Sequence, residues 1–226
     1  FMINDTFGQM SGNSKAYILN FPEIIPQTHV SRDPRRLKKL IDDFGGDMVI
    51  KPLRGHGGHG VIKVSNKDQE NLNSLINYYV QAGRPYPERT PIMVQEYLKN
   101  VSTNGDVRIL LLNGRIIGAM GRKSVTGDFR TNVHAGAEAF KHTVTAAQKE
   151  ICDIISPRLI HDGLYFVGID IIGDKLVEVN CISPGGIPRI NMFEKKRLEI
   201  EVVNFIEEKI VESKKRRTFT RIHQTG

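Results

Sequence analysis

The sequence predicts an α+β fold with two lobes, each built on a mainly antiparallel sheet. Two hairpin patterns support the antiparallel arrangement: residues 107–123 are two apolar runs joined by Asn113-Gly114, and residues 164–181 contain two more such runs. The boundary between the lobes is predicted near residues 97–100, and no internal repeat is visible. Amphipathic helix patterns separate the strands at residues 33–44, 68–82, 144–161 and 193–212.

The first lobe, predicted over residues 29–98, begins with a helix and continues with short strands. The helix places Leu37 and Ile41 on one face, as an amphipathic helix requires. Strands are predicted in "MVIKP" and "VIKV", on either side of a glycine-rich loop, because β-branched residues are frequent in both. A second helix and the strand "IMVQEYL" complete the lobe.

The second lobe, predicted over residues 99–213, holds both hairpins. A polar loop over residues 124–138 follows the first hairpin, and the next helix turns Ile151, Ile154 and Ile155 inward. After the second hairpin, "ISPGGIPRI" is predicted to be a loop that leads into the final helix.

Two segments lie outside the lobes: a leading segment over residues 1–28 and a basic tail over residues 214–226. The formal net charge is +7, but the tail "KKRRTFTRIHQTG" holds five basic residues and no acidic one. Without the tail, 27 basic residues face 25 acidic ones, so the rest of the protein is nearly neutral. We expect the tail to be disordered; such a tail can bind nucleic acid, but the balanced body disfavours a nucleic-acid partner.

The composition is that of an ordinary globular protein, with 39% hydrophobic and 25% charged residues. No apolar run reaches the roughly 18 residues that a membrane span needs, so no membrane partner is expected. Cys152 and Cys181 are isolated and support neither a disulfide framework nor a zinc site. A cytoplasmic location, where thiols stay reduced, is therefore predicted.

The glycine-rich loop "GHGGHG" at residues 55–60 indicates that bare backbone must approach a ligand closely. It matches G-x-G-x-x-G, but a dinucleotide-binding turn needs a helix after it, and a P-loop needs a Gly-Lys-Ser/Thr ending. The remaining phosphate-binding arrangement is a strand–loop–strand unit that covers the phosphates. Here Lys51 comes before the loop, whereas in kinases the lysine comes after it. The alternative is a flexible hairpin without a ligand.

The second hairpin carries a candidate metal site. Asp170 lies on its first strand, and Glu178 and Asn180 are two residues apart on the second, so these two face the same way. Oxygen ligands of this kind suit Mg²⁺. A solvated sheet face is the alternative, although Asp and Asn are disfavoured in strands.

A shared metal requires Asp170 and Glu178 to lie on one face of this hairpin. A two-residue turn at Gly173-Asp174 with regular pairing would put them on opposite faces. We therefore predict either a three-residue loop over residues 173–175 or a β-bulge, with Asn180 on the same face as the two acids.

Six ordered motifs resemble the ATP-grasp superfamily, and most closely the catalytic region of prokaryotic glutathione synthetases. They are "SKAYILNFPEIIPQT", "VIKPLRGHGGHGV", "MVQEYL", "GDVRILLLNGRIIGA", "GRKSVTGDFRTNVHAGA" and "YFVGIDIIGDKLVEVNCISPGGI". The resemblance extends from about Asn4 to Val211 and is specific because all six occur in order. It implies an ATP-grasp fold, in which two α+β lobes clamp a nucleotide. Full-length relatives carry a further N-terminal domain, which is expected to be absent from this chain.

The resemblance also implies a role for each candidate residue. Phosphate contacts are assigned to Lys15, Lys51, Gly57 and Gly58, the adenine pocket to Gln95, Glu96, Tyr97 and Leu98, and the ribose to Asp106. Neutralisation of the phosphoryl group and the carboxylate substrate is assigned to Arg108, Arg122 and Arg130. Substrate binding is assigned to Asn132, Ser183, Gly185 and Gly186, and magnesium binding, with Mn²⁺ as an alternative ion, to Asp170, Glu178 and Asn180.

The implied activity is ATP-dependent carboxylate–amine ligation through an acyl phosphate. In glutathione synthetase-like enzymes the substrates are γ-glutamylcysteine and glycine. Phosphoryl transfer needs positioning and charge neutralisation more than a protein nucleophile, which agrees with these residue types. Two alternatives stay open: a truncated or divergent nucleotide-binding module, and a ligase for another amino acid or peptide. Small molecules are the expected substrates, and a homo-oligomer is compatible with the resemblance.

Overall fold

The computed structural model describes the backbone of residues 2–124 and 137–223, and the side chains of these ranges up to residue 214. The first part of the chain forms α1 (Thr6–Gly12), a 3₁₀ helix (Lys15–Asn20), β1 (Thr28–Ser31), α2 (Pro34–Asp43), β2 (Asp47–Pro52), β3 (Ile62–Ser65), α3 (Gln69–Val80), a short 3₁₀ helix (Tyr86–Glu88), β4 (Ile92–Glu96) and α4 (Val101–Asn104). The second part forms β5 (Asp106–Leu112), β6 (Arg115–Lys123), β7 (Glu138–Lys141), α5 (Ala146–His161), β8 (Phe166–Ile172), β9 (Lys175–Asn180), α6 (Ile187–Glu194) and α7 (Leu198–His223).

The first sheet has the strand order β1-β4-β2-β3, with antiparallel pairing throughout. Helices α2 and α3 cover one of its faces with apolar residues at helical spacing. Leu37 and Ile41 of α2 and Leu72 and Ile76 of α3 are at most 1% exposed, and they pack in one cluster with Ile50 of β2. The opposite face of this sheet is therefore the one available for a ligand.

The second sheet has the strand order β7-β6-β5-β8-β9, and its pairing is also antiparallel. Its central strand, β5, is buried along its whole length. Ile109 packs on one side with Ile155 of α5 and Ile18 of the 3₁₀ helix, while Leu110 packs on the other side with Ile190 of α6. Two antiparallel sheets with helices on them confirm the predicted α+β class.

The first hairpin turns where the sequence predicts. Asn113 and Gly114 connect β5 to β6 and have φ values of 50° and 76°. A type I′ hairpin turn has left-handed backbone at both positions, which Asn and Gly tolerate better than other residues.

The C-terminal helices differ from the sequence-based expectation. Residues 187–190, predicted to lie in a loop, begin α6, whose first turn accommodates Pro188. Lys195 then adopts a left-handed conformation with φ 53° and ends α6, so the single helix predicted over residues 193–212 is two helices. The backbone of α7 continues to His223, so residues 214–223 of the tail, expected to be disordered, are helical. No Pro or Gly interrupts this stretch, and Lys and Arg are good helix formers.

The prediction that Ile151, Ile154 and Ile155 of α5 all face inward is wrong for one of the three. Ile151 and Ile155 are 3% and 0% exposed, as expected, but Ile154 is 36% exposed. The chain positions of the lobes are not decided by these observations, and the division at residues 28, 98 and 213 stays a prediction.

Both cysteines are free and buried. Burial raises the pKa of the Cys152 thiol to about 12 and also raises the pKa of Cys181. Protonated, buried thiols are poor nucleophiles, so neither cysteine is a candidate for catalysis. Across residues 2–124 and 137–223, none of the helices has the length and apolar character needed to cross a membrane.

Candidate active site

The uncovered face of the first sheet carries a row of polar and apolar side chains. In the register of the sheet, Gln95 of β4 lies between Thr28 of β1 and Val49 of β2, and Val49 pairs with Lys63 of β3. Paired residues direct their side chains to the same face, and Lys51 joins them because it is two residues beyond Val49. This row forms one side of the site.

Lys51 is held within this row by its neighbours. Its Nζ donates to Oε1 of Gln95 at 2.6 Å, and Nε2 of Gln95 donates to Oγ1 of Thr28 at 2.8 Å. Burial lowers the pKa of Lys51 to about 8; the nearby Glu178 opposes this shift, while the charge of Lys15 adds to it. Because the positive charge of this ammonium group is poorly compensated, binding of an anion beside it is favoured.

The second hairpin contains the β-bulge that the metal hypothesis predicts. A two-residue turn at Gly173-Asp174 joins β8 to β9, and a register shift next to Asp170 leaves Val177 as an extra residue on β9. As a result Asp170 pairs with Glu178, and Asn180, two residues further on, lies on the same face. The predicted β-bulge is confirmed, and the turn has two residues instead of the three of the alternative prediction.

Four buried charged side chains meet beside this hairpin, each 2–7% exposed: Asp106, Arg108, Arg122 and Asp170. The strand register brings them together, because Arg108 pairs with Asp170 and Asp106 pairs with Arg122. Arg108 donates to both oxygens of Asp170, at 2.5 and 2.8 Å. Arg122 forms a bidentate pair with Asp106 and lies 2.9 Å from Oδ1 of Asp170. Burial alone would raise the pKa of Asp170, but the two guanidinium groups hold it well below its usual range.

Lys15 links three parts of the site. Its backbone N–H donates to the carbonyl oxygen of Leu53 at 2.8 Å, just before the glycine-rich loop. Its Nζ donates to Oε1 of Glu178 at 2.8 Å and to the carbonyl oxygen of Gly55 at 3.1 Å. The leading segment, the loop and the hairpin therefore share one cation.

The glycine-rich loop connects β2 to β3 and uses backbone conformations that other residues resist. Gly57 and Gly58 have φ values of 65° and 76°. Between them and the strands, His56 and His59 are exposed, and their rings lie 6.0 Å apart. The described part of the chain contains no cluster of three His, Cys, Asp or Glu residues that could hold a metal.

The row on the first sheet, the loop and the hairpin enclose a cleft. Ten residues predicted from the sequence line it: Lys15, Lys51, Gly58, Gln95, Glu96, Tyr97, Leu98, Asp106, Asp170 and Glu178. Sequence reasoning missed the apolar lining, which comprises Val49, Val61, Val101, Ile172 and Val177. The alternation of strands could have found part of it, because Val49 and Ile172 are two residues from Lys51 and Asp170.

Known proteins decide the family. The family model of the prokaryotic glutathione synthetase ATP-grasp domain matches residues 14–195. The chain belongs to this family. It is 41% identical over 208 residues to a glutathione synthetase of Gloeobacter violaceus, covering 92% of this chain and 62% of that protein. It is 36% identical over 193 residues to a glutathione synthetase of Brucella melitensis, covering 85% and 59%. The chain thus spans about 60% of the length of the curated relatives it matches.

Solved structures show the same fold at much lower identity. D-alanine–D-alanine ligase from Bacillus anthracis, complexed with ATP, has a TM-score of 0.59 at 14% identity. The match covers 89% of this chain and 71% of the ligase. The ATP-grasp ligase PsnB, complexed with a phosphomimetic precursor variant, Mg and ADP, has a TM-score of 0.57 at 20% identity, covering 84% of this chain and 56% of PsnB. The chain therefore has the ATP-grasp fold.

The donor set on the second hairpin of this ATP-grasp domain fits a hard divalent cation. Asp170, Glu178 and Asn180 lie on one face, and the Asn180 amide is 3.3 Å from Oδ2 of Asp170. Two carboxylates and an amide oxygen are suitable for Mg²⁺ when phosphate oxygens supply further ligands. Asp170 already has two cationic partners and Glu178 has one, so a metal cation here would share the carboxylates with Arg108, Arg122 and Lys15.

The residues predicted to bind the substrate are only partly described. Arg130 and Asn132 lie outside the described residues. Ser183 lines a second hollow beside the cleft, formed mainly by residues 12–15 and 178–183. Gly185 accepts from Nη1 of Arg108 at 3.3 Å, and Gly186 precedes α6 with φ 139°. Lys15 and Glu178 line both the cleft and the hollow, so the two spaces meet at this ion pair.

Proposed function

We propose that this chain is the nucleotide-binding and catalytic part of an ATP-dependent carboxylate–amine ligase of the glutathione synthetase type. One observation carries the proposal: two lysines and two carboxylates converge under a glycine-rich loop, in a cleft between the two sheets of an ATP-grasp domain. Because the chain spans only part of its relatives, the activity rests on these residues and not on the relatives' names.

The cleft offers complementary groups for each part of ATP. Lys15, Lys51 and the backbone of Gly57 and Gly58 are suited to the phosphates, because they bring positive charge and N–H donors to the loop side. The apolar lining and the backbone of residues 95–98 are suited to the adenine ring. Asp106 lines the same cleft, but its bidentate pair with Arg122 competes with the ribose contact that the family resemblance implies.

Magnesium, or manganese as the alternative, would be held by Asp170, Glu178 and Asn180 and would neutralise charge on the phosphates. In the reaction, a carboxylate oxygen of the substrate attacks the γ-phosphorus, and ADP leaves. The amine then attacks the carbonyl carbon of the acyl phosphate; its proton is lost, inorganic phosphate departs and the amide forms. Arg108, Arg122 and Arg130 would stabilise the negative charge that these steps develop.

The second hollow is suited to the carboxylate substrate and the amine. It adjoins the proposed metal side chains and contains Ser183, and the Gly185-Gly186 backbone follows directly. We propose γ-glutamylcysteine and glycine as the substrates, with Asn132 also contributing. A ligase acting on another amino acid or peptide, and a domain that binds nucleotide without ligation, are the competing functions. A cytoplasmic location and small-molecule partners belong to the same proposal.

The decisive experiment measures ADP release with ATP, Mg²⁺, γ-glutamylcysteine and glycine. Release that requires both substrates supports the ligase, whereas ATP-dependent thermal stabilisation without turnover favours the nucleotide-binding module. At 100 times the dissociation constant, that stabilisation is about 2.7 kcal/mol. Lys51→Ala should weaken ATP binding by about 1.5–3 kcal/mol, the range for a charge-assisted contact, while the protein stays folded. Unchanged ATP affinity in the folded variant would remove Lys51 from the site.

A further inference from the structure

Tyr97 occupies a special position between the two sheets. It directly follows β4 of the first sheet and lines the cleft. Its hydroxyl lies 2.6 Å from Oγ of Ser102, in the short helix α4 that leads into the second sheet. The ammonium group of Lys63, on β3, lies 4.0 Å from the centre of its ring. The ring is thus held from two sides by residues of different elements.

Lys63 reaches the ring because the sheet register and an ion pair direct it there. It pairs with Val49, so its side chain extends on the cleft face of the first sheet. Oδ2 of Asp47, two residues before Val49 on the same face, lies 3.2 Å from its Nζ. Burial opposes ionisation of Asp47, but the hydrogen bonds from Lys63 and Ser65 outweigh it and lower the pKa of this acid.

We propose that Lys63 is a positioning residue for the nucleotide base, acting through the ring of Tyr97. The inference rests on the proposed nucleotide-binding function. Among the described residues that line the cleft, Tyr97 is present and Lys63 is not, so the lysine acts from behind the ring. The Asp47–Lys63–Tyr97–Ser102 chain restricts the ring before a ligand arrives, and a preorganised pocket loses less entropy on binding.

The position of Tyr97 points to the base rather than to the phosphates. Tyr97 follows Gln95 and Glu96 in the segment proposed to meet adenine, and the apolar Val49 and Val101 line the same cleft. The phosphate-side cation Lys51 is held instead by Gln95. An effect of Lys63 should therefore depend on whether the ligand has a base.

The test compares a non-hydrolysable ATP analogue with inorganic tripolyphosphate, each titrated by calorimetry. Lys63→Met keeps the side-chain length but removes the charge, and should weaken binding of the analogue by about two- to fivefold, the value of an exposed cation–π contact. Binding of tripolyphosphate should not change. Lys63→Arg should retain the affinity, because a guanidinium also stacks on an aromatic ring. Lys67→Met, at an exposed position just beyond β3, is the matched control and should bind both ligands like the wild type.

A double-mutant cycle separates an indirect role from direct contact. In a Tyr97→Leu background, Lys63→Met should have no further effect on the analogue, because the ring through which it acts is gone. An undiminished effect in that background, or equal loss for the analogue and tripolyphosphate, would show that Lys63 acts directly on the ligand and would overturn the proposal. An unchanged affinity of folded Lys63→Met for the analogue, measured beside a wild type that binds it normally, would also overturn the proposal. Failure of the wild type to bind the analogue would overturn the proposed function itself.

Discussion

Replacing Asp170 by Asn tests how far the fold depends on its buried charges. Asp170 accepts from two nitrogens of Arg108 and lies 2.9 Å from a nitrogen of Arg122. Arg122 keeps a second carboxylate, that of Asp106, whereas Arg108 loses its carboxylate partner in the variant. The substitution preserves size, so its effect reports charge rather than packing.

The size of the effect follows from the charge balance. Two arginines face two aspartates at 2–7% exposure, and the substitution leaves one buried positive charge in excess. Removing one partner of a buried pair costs about 3–5 kcal/mol, because the other charge is left uncompensated. The Asn oxygen still accepts a hydrogen bond, so we expect a loss near the lower end, about 3 kcal/mol.

Urea unfolding, followed by circular dichroism, measures this loss. The midpoint should fall while the m-value stays the same, since the surface exposed on unfolding does not change. Asp174→Asn is the matched control, because Asp174 is exposed in the turn of the same hairpin, and its effect should lie within about 0.5 kcal/mol.

The lowered pKa of Asp170 also determines how the difference in unfolding free energy between wild type and Asp170→Asn depends on pH. The pKa of Asp170 is lowered in the folded state, so the stabilisation by its ionised form is complete above the unfolded value of about 3.9 and is lost only as the pH falls through the folded value. The gap between wild type and Asp170→Asn should therefore be equal at pH 5 and pH 7. A gap below about 1 kcal/mol at both pH values, with unchanged m, would refute the view that this network stabilises the fold.

Three further predictions concern single residues. The pKa of Lys51 is about 8 and only its ammonium form attracts phosphate, so ATP affinity should fall about tenfold between pH 7 and pH 9; calorimetry should show no such fall for Lys51→Met. Gly105→Ala should destabilise the protein by at least about 2 kcal/mol, because φ is 73° and a Cβ would lie 1.9 Å from the carbonyl oxygen of Arg122; Gly83→Ala, in open space, should be nearly neutral in the same urea assay. Thr145→Ala removes the capping box of α5 and should lower the unfolding free energy by about 1 kcal/mol, a change that an equal midpoint would contradict.

Sequence patterns predicted the features that local chemistry determines. The turn at Asn113-Gly114 needs residues that tolerate positive φ, and the strands around Lys51 are rich in β-branched residues. Both features could therefore be located from the types of the residues that form them. The charge pairing could not be predicted in this way. Arg108 and Asp170 are 62 residues apart, and they meet because β5 pairs with β8 in one particular register. Arg108 and Arg122, two of the arginines predicted to act on substrate, thus have structural partners that only the tertiary structure reveals.

The start of α6 shows a different limit of sequence reasoning. Gly185, Gly186 and Pro188 are typical of a loop, and they favoured that prediction. Pro is also well tolerated in the first turn of a helix, and Ile190 buries completely against the second sheet. The local residues favour a loop but also allow the start of a helix, and tertiary packing decides for the helix.

The bulge in the second hairpin shows how the neighbouring strand decides what the turn leaves open. Either a longer loop or a bulge would align Asp170 with Glu178, and the turn residues do not choose between them. On its other side, β8 pairs with β5 without a shift through Ile171 and Asp170, which fixes the face of Asp170 from within the sheet. The edge strand β9 has no such second neighbour in the order of this sheet, so it can absorb Val177 as an extra residue. Because side chains alternate with a period of two, that single residue turns Glu178 toward Asp170, and the proposed metal site depends on it.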